Sequence, residues 1–340
     1  PVGEGAFESC GAGHRGPRLA SRIPALDARV TFLRFEVSEE PADTPVMDNR
    51  MVTDHRRSFA RAIQVIFAAA TLSMGVTSAA AANHETATIL LNFSAGAEPF
   101  TPEQARQAVF TGSASANAFH REQSFGALSL TGKGGAAAGD VFGWYTVGGS
   151  TATCDPDTWM GLADTAASSA GVDLSGYDHR IYIFPHVSAC TWAGLADISG
   201  PISFINGTLS TRVIAHELGH NLGVHHASSL RCTDPTGVAV PFSTTCSASE
   251  YGDPFDVMGS STRQSSAITK VRLGYIPLAN QAMATTSGTY LLAAANVAGG
   301  GVQSLSVPRG TTGESWHFER RATAGIFENF LATDPDVTKG

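Results

Sequence analysis

Eleven consecutive residues, from His216 to His226, constrain this chain more than any other stretch. They read His-Glu-Leu-Gly-His-Asn-Leu-Gly-Val-His-His. On a helix, His216 and His220 project from one face about one turn apart, so both imidazoles can reach a single ion. Gly223 can adopt the left-handed conformation that ends a helix, and the resulting turn brings His226 round as a third ligand. This spacing predicts a zinc site whose fourth position stays open for water.

Glu217 follows the first predicted ligand directly, so its carboxylate is expected beside the metal rather than on it. A general base for the attack of water belongs in that position. His225 has the wrong spacing from Gly223, and we interpret it as exposed or as an outer residue of the site. The alternative is a helix that carries histidines by coincidence, but five fixed positions match by chance only about once in ten thousand.

Composition limits the classes of protein to consider. The chain has 340 residues, of which 43% are hydrophobic and 36 are glycine, which indicates a globular protein with many turns. Its net charge of −8 argues against a nucleic-acid partner, and the body of the chain contains no basic cluster. The length suits one large domain, or one domain with a smaller addition.

The first part of the chain reads as an export signal rather than as part of a fold. Residues 1–50 mix Gly, Pro, Arg and Glu without a sustained period, and we interpret them as a non-structural upstream segment. Residues 51–82 contain a basic start, a short apolar run and small residues that end at Ala82, which is typical of a signal peptide. The mature chain is therefore expected to begin near Asn83. A structured N-terminal extension is the alternative.

The export signal leaves the route and the final location open. Arg56 and Arg57 resemble a twin-arginine signal, but the general secretory route fits as well. The apolar run is too short for a membrane span, so no stable span is expected after cleavage. We expect a secreted, extracellular protein, with a periplasmic or cell-surface location as the alternative.

Cysteine usage agrees with an exported protein. Cys10 lies in the upstream segment, and the mature part holds Cys154, Cys190, Cys232 and Cys246. An even number of cysteines in an exported chain predicts two disulfides, for which three pairings exist. We favour Cys154–Cys190 ahead of the active helix and Cys232–Cys246 just after the zinc site. A cysteine zinc site is the rival, but it lacks the close cysteine pairs that such sites use.

Strand-like and helix-like segments alternate between residues 83 and 277. Strands are predicted over 88–93, 127–131, 141–147 and 180–184, and helices over 114–123 and 155–171, with another helix beginning at Thr101. The zinc helix is expected to begin near Leu209. This alternation predicts an α/β (α+β) domain with a mixed sheet and an active-site helix.

After Pro277 the pattern changes to short β-like runs separated by Gly, Pro and Thr. These runs predict a small β domain over residues 278–340. No closing pattern precedes Gly340, so this region is expected to be incomplete. His317 lies within one of the runs and is interpreted as a strand residue. His84, His120, His179 and His186 also lack the spacing of ligands and are interpreted as structural.

From about Thr88 to Pro277 the chain resembles the gametolysin-like family of metzincin metallopeptidases. The resemblance rests on residues 190–196, the motif 216–226 and the segment Tyr-Gly-Asp-Pro-Phe-Asp-Val-Met-Gly over 251–259. It implies that Met258 belongs to the Met-turn and forms an apolar floor beneath the zinc ligands. Asp256 would then bond to local backbone and hold this turn; a calcium ligand is the alternative role, which nothing else supports.

The resemblance also implies a substrate strand ahead of the zinc helix, within residues 192–198. Its residues Ala193, Gly194, Leu195 and Ala196 would pair with an extended substrate through main-chain hydrogen bonds, and a plain core strand is the competing interpretation. Two features depart from parts of the metzincin pattern. No Tyr stands two residues after Met258 to serve as a zinc ligand, and the mature chain offers no free upstream cysteine for latency.

Taken together, these residues predict a secreted zinc endopeptidase in which Glu217 is the general base. The resemblance suggests extracellular or cell-wall proteins and glycoproteins as substrates, and we expect a monomer. One rival is a non-catalytic module that binds cell wall or matrix and keeps a structural zinc. A pseudoenzyme usually lacks the glutamate, which is present here. The other rival is a zinc amidase that acts on non-peptide amides.

Overall fold

The structure, a computed structural model, describes residues 29–31, 82–94, 96, 98–240, 243, 245–310 and 313–329. The predicted signal peptide therefore lies outside the described residues, apart from Ala82. Of the upstream segment, only strand β1 (Arg29–Thr31) is described, and it pairs antiparallel with Thr289–Leu291. Among the described residues, no helix is both long enough and apolar enough to cross a membrane.

The other elements follow in chain order. The strands are β2 (Ala82–Asn92), β3 (Leu128–Thr131), β4 (Asp140–Thr146), β5 (His179–Phe184), β6 (Gly194–Ala196), β7 (Ile202–Asn206), β8 (Ser229–Thr233), β9 (Ala239–Val240), β10 (Thr245–Ser249), β11 (Gln281–Met283), β12 (Thr289–Leu291), β13 (Ser304–Pro308) and β14 (Ser315–Phe318). The α-helices are α1 (Pro102–Arg106), α2 (Ala116–Gln123), α3 (Pro156–Ser169), α4 (Thr211–Asn221) and α5 (Ala267–Arg272). A π-helical turn (Gln107–Thr111) extends α1, and short 3₁₀ turns span Lys133–Gly135 and Leu278–Asn280.

One mixed sheet of six strands organises the molecule, as the sequence predicted. Its order is β3-β2-β5-β7-β6. β3 pairs with the first part of the long strand β2, and β4 pairs with the later part of β2. All pairings are parallel except that of β6, which lies antiparallel to β7 at the end of the sheet. A mostly parallel sheet of this kind is usually covered by other elements on both faces, so its strands are buried on both sides.

Alternating side chains along the strands divide the core into two layers. On one face, Leu90, Ile181 and Ile205 pack with residues of α2 and α4. On the other face, Leu91 and Phe184 pack with residues of α3 and with Phe93, among others. Each of these strand residues is at most 1% exposed. Helix α4 is therefore fixed against the sheet along its inner side, which makes it a rigid carrier for functional groups.

Two predicted helix starts are confirmed by their caps. Thr101 and Gln104 form a capping box at α1, and Asp155 accepts a hydrogen bond from the Thr158 amide at the start of α3. In both helices a proline occupies the first turn, where its missing N–H costs nothing.

The segment between residues 190 and 211 differs from the prediction. The zinc helix begins at Thr211, two residues after the predicted start near Leu209, but a strand that the sequence analysis missed, β7, precedes it. The strand predicted within 192–198 covers only the three residues of β6. It is not the last strand before the zinc helix, because β7 follows it. β7 is buried along its whole length, so its sequence Ile-Ser-Phe-Ile-Asn carries no clear alternation of polar and apolar residues.

Both disulfides of the favoured pairing are present. Cys154–Cys190 joins the segment before α3 to the loop after β5, with Cα atoms 4.9 Å apart. Cys232–Cys246 joins residues that lie directly opposite each other in the β8–β10 ladder, with Cα atoms 4.0 Å apart. The second bond thus crosses the paired strands β8 and β10, which follow the histidine motif.

The C-terminal region contains its own small sheet but also packs into the main core. β11, β13 and β14 form a three-stranded sheet. Phe327 lies in the same cluster as the α2 residues, and its ring is 5.1 Å from that of Phe119. The Arg321 guanidinium pairs with the fully buried Glu328 and donates to the carbonyl of Phe255. The end of the described chain is thus tied to the segment that contains Met258.

Two buried histidines away from the motif predict a loss of stability in acid. Burial lowers the pKa of His120 to about 3 and that of His179 to about 4. In the unfolded chain both bind protons below about pH 6.5, so the free energy of unfolding should fall as the pH drops from about 6.5 towards 4. At pH 5 the loss should be about 2 kcal/mol for each histidine.

Urea unfolding at a series of pH values measures this slope. The His179→Gln variant should have a shallower slope than the wild type, because one buried titrating group is removed. Equal slopes for the two proteins would show that His179 binds protons alike in the folded and unfolded states.

Candidate metal centre

Helix α4 carries the first two histidines of the motif, and both are buried. His216 and His220 are 5% and 7% exposed, and their ring centroids are 4.8 Å apart. Val213, Ile214 and Leu218 belong to the core between this helix and the sheet. The histidines are therefore held by apolar packing of the same helix turns that carry them.

The end of α4 turns as the glycine predicts. Gly223 has φ +90°, in the left-handed region, and donates to the carbonyl of His220. Val224 donates to the carbonyl of Gly219, which completes a Schellman motif. This turn directs the chain back across the helix end, so that the His226 ring centroid lies 4.8 Å from that of His220 and 5.4 Å from that of His216.

The three rings converge on one point. One ligand atom from each of His216, His220 and His226 lies within 4.8 Å of the others, and no other group of His, Cys, Asp or Glu in the described residues converges in this way. The Nε2 atoms of His220 and His226 are 3.0 Å apart. Two nitrogens bound tetrahedrally to one zinc ion lie about 3.3 Å apart. The donor set and its spacing therefore fit zinc.

A hydrogen bond at Nδ1 orients each ring. The Nδ1 of His216 is 2.9 Å from the carbonyl oxygen of Val257, and that of His220 is 2.8 Å from the carbonyl oxygen of Val224. The Nδ1 of His226 is 2.5 Å from Oε1 of Glu250. Because these acceptors require a proton on Nδ1, all three Nε2 lone pairs are left for a metal.

Glu217 lies next to the ligands and is 5% exposed. Burial alone raises the pKa of its carboxyl to about 8. A bound dication acts in the opposite direction, because it favours the charged carboxylate. A carboxyl group with this burial can both take up and release a proton near neutral pH.

Strand β6 passes directly over Glu217. A Cβ atom at Gly194 would collide with the carboxylate of Glu217, so any other residue here would displace this carboxylate. Leu195, the next residue, is 43% exposed, and β6 is the last strand of its sheet. The structure thus brings the predicted substrate strand and the predicted base together at one edge.

Met258 and Asp256 lie beneath the histidines. Met258 is 1% exposed, and a Cβ at Gly219 would lie 2.5 Å from its sulfur, so the thioether packs against the helix between the two ligands. Asp256 accepts from the amides of Met258 and Ser266, at 2.9 and 2.8 Å. Both of its oxygens are engaged by backbone, and it belongs to no converging ligand group among the described residues.

The sequence analysis missed two residues of this site. Glu250 bonds to His226, and the ring centroid of Tyr251 lies 3.9 Å from that of His226. Tyr251 belongs to the segment that carried the family resemblance, which was the only signal for it. Nothing in the sequence marked Glu250. His225 is exposed, and the structure places no ligand role on it.

Comparisons with known proteins bear on this geometry. Residues 86–320, more than half of the chain, match the family described as gametolysin peptidase M11. A search of curated proteins found no match. Among solved structures, the crystal structure of archaemetzincin from Methanopyrus kandleri is 12% identical, with a TM-score of 0.29, and the alignment covers 56% of this chain and 95% of that one.

The structural likeness is too low to support an argument, whereas the family match extends across the histidine motif and the sheet that carries it. The chain therefore belongs to the gametolysin peptidase M11 family and is a zinc metallopeptidase.

Proposed function

We propose that this protein is a secreted zinc endopeptidase that hydrolyses peptide bonds in extracellular or cell-wall proteins. The observation that carries the proposal is the convergence of three Nδ1-bonded histidines beside the buried carboxylate of Glu217. His216, His220 and His226 would hold the ion, and Glu217 would act as the general base. Met258 would be the apolar floor of a Met-turn that Asp256 braces.

The chemistry follows from this arrangement. Zinc bound by the three histidines would lower the pKa of water and polarise the scissile carbonyl. Glu217 takes a proton from the attacking water and delivers it to the nitrogen of the leaving amine. Burial raises the pKa of this carboxyl group and a bound cation would lower it, so the group would be able to take up a proton and then release it.

We also propose that β6 aligns the substrate. An extended peptide would pair with the backbone of Ala193, Gly194, Leu195 and Ala196 at the sheet edge. Because Gly194 has no side chain, its backbone lies directly against the Glu217 carboxylate, so a peptide paired with this strand would pass close to the base. An extended substrate bound in its middle is what an endopeptidase requires.

The proposal assigns roles to the regions of the chain. Residues 83–277 would form the catalytic domain, and residues 278–340 a β-rich region that packs on it. We also propose that the substrate is a protein or a glycoprotein and that the enzyme is a monomer. One zinc ion is the metal that we propose, and the two backbone amides bonded to Asp256 favour its role in bracing the turn over the alternative role of a calcium ligand.

Peptides with blocked ends test the endopeptidase assignment. The purified protein should cleave internally quenched peptides whose termini are both blocked, and new termini in a treated proteome should lie within chains. Release of only terminal residues would contradict the assignment, and cleavage of only non-peptide amides would favour the amidase.

The secretion proposal predicts a processed N-terminus. Cleavage after Ala82 removes only the first residue of β2, and the buried part of that strand begins at Thr86. N-terminal sequencing of the exported protein should therefore begin near Asn83. A mature chain that retains Arg56 and Arg57 would contradict the signal-peptide interpretation.

A further inference from the structure

The third histidine of the site is held differently from the other two. His216 and His220 bond to backbone carbonyls and are almost fully buried. The His226 side chain is 24% exposed, and its Nδ1 partner is a carboxylate, Glu250, whose side chain is 67% exposed. The orientation of this ligand therefore depends on a surface residue rather than on the core.

Two paired strands, β8 and β10, connect His226 to Glu250, and we refer to this pair as the hairpin; β9 pairs with the other edge of β8. β8 begins three residues after His226, and β10 ends directly before Glu250. The two strands pair from Ser229 opposite Ser249 to Thr233 opposite Thr245, and the Cys232–Cys246 bond crosses the ladder. The hairpin thus starts at the third ligand and returns to it.

The return of the hairpin is conformationally fixed. Tyr251 has φ +59°, which is uncommon for a residue other than glycine, and its ring covers that of His226. A Cβ at Gly252 would collide with Ser229 at the start of β8. The Asp253 amide then donates to the carbonyl of Ala227. These contacts hold the backbone next to Glu250 in place, so the start of its side chain is kept beside His226.

We infer that Glu250, which directly follows β10, is a positioning residue for His226 and that this contact raises the affinity of the site for zinc. The inference rests on the ligand set of the proposed function. A carboxylate that accepts a hydrogen bond from the Nδ1–H group fixes the orientation of the ring and makes Nε2 a better ligand for a metal. Ion pairs this exposed contribute little to folding, so the effect should be on metal binding rather than on stability.

Zinc affinity of the Glu250→Gln variant tests the inference on the full mature chain. Protein stripped of metal by a chelator is titrated with zinc against a chromophoric competitor, and its thermal melt without zinc is recorded. Loss of an outer carboxylate partner weakens metal binding by roughly 10–100-fold, and the lower end is expected here because Glu250 is exposed. Glu314→Gln is the matched control, since the Glu314 side chain is 62% exposed and pairs with Arg309.

Nitrogen NMR of the His226 ring gives a second measurement. In the wild type the Nδ1 signal should report a bonded N–H, and in Glu250→Gln it should shift towards a mixture of tautomers. An affinity lowered about tenfold, with an unchanged melt and an unchanged Glu314→Gln control, supports the inference.

Three results would overturn it: wild-type affinity in Glu250→Gln, an equal loss in the control, or a loss of affinity that accompanies an equally lowered melt. If the wild-type protein binds no zinc, the proposed function fails together with this inference. If the wild type binds zinc and Glu250→Gln binds it equally well, only this inference fails.

Discussion

Glu217→Gln should reduce turnover of an internally quenched peptide by roughly 10²–10⁴-fold, the range for a positioned proton-transfer group. The amide keeps the shape of the side chain but cannot accept the proton of water. Glu217 is not one of the converging ligands, so zinc content should stay near one per chain. The isosteric replacement also leaves no cavity, and the melting temperature should change little.

Two comparisons make this result specific. Glu217→Ala should lose as much activity as Glu217→Gln, because both remove the base. Glu103→Gln, at an exposed position in the first turn of α1, should behave as the wild type. Undiminished cleavage by Glu217→Ala would show that this carboxylate is not the base, and the catalytic assignment would then have to be abandoned.

His226→Ala should lose zinc and activity together. Its Nε2 lies 3.0 Å from that of His220, so the variant lacks one of three converging donors. Removing an outer partner of a ligand costs roughly 10–100-fold in affinity, and removing the ligand itself should cost more. Metal analysis of the purified variant and its peptide turnover measure the effect.

His225→Ala is a matched control one residue away. His225 is exposed and does not belong to the converging group, so zinc content and activity should be close to those of the wild type. A zinc-free His225→Ala together with a zinc-replete His226→Ala would reverse the ligand assignment. Loss of zinc in both variants would instead indicate that the turn after Gly223 is disrupted by either change.

Local chemistry explains which features could be predicted from the sequence. The spacing of His216, His220 and His226 is set by helix geometry and one glycine turn, so it is visible within eleven residues. The caps at Thr101 and Asp155 likewise depend on neighbours within one helix turn. In each case the residues that determine the structure are adjacent in the chain.

The missed features depend on residues that are distant in the chain. β7 is buried between β5 and β6, and a fully buried strand lacks the alternation that marks a half-exposed one. Glu250 reaches His226 only because the hairpin folds back over 24 positions. Phe327 enters the core beside Phe119 after more than two hundred residues. No local pattern reports such contacts.

The central claim is that three histidines and one zinc ion form a hydrolytic site. Its most direct test is to strip the mature protein with a chelator and to follow cleavage of a blocked, quenched peptide while zinc is added back. The account predicts no cleavage in the stripped protein and recovery that rises with zinc to a plateau at about one equivalent. Cleavage that persists without metal, or full zinc binding without any peptide hydrolysis, would contradict it.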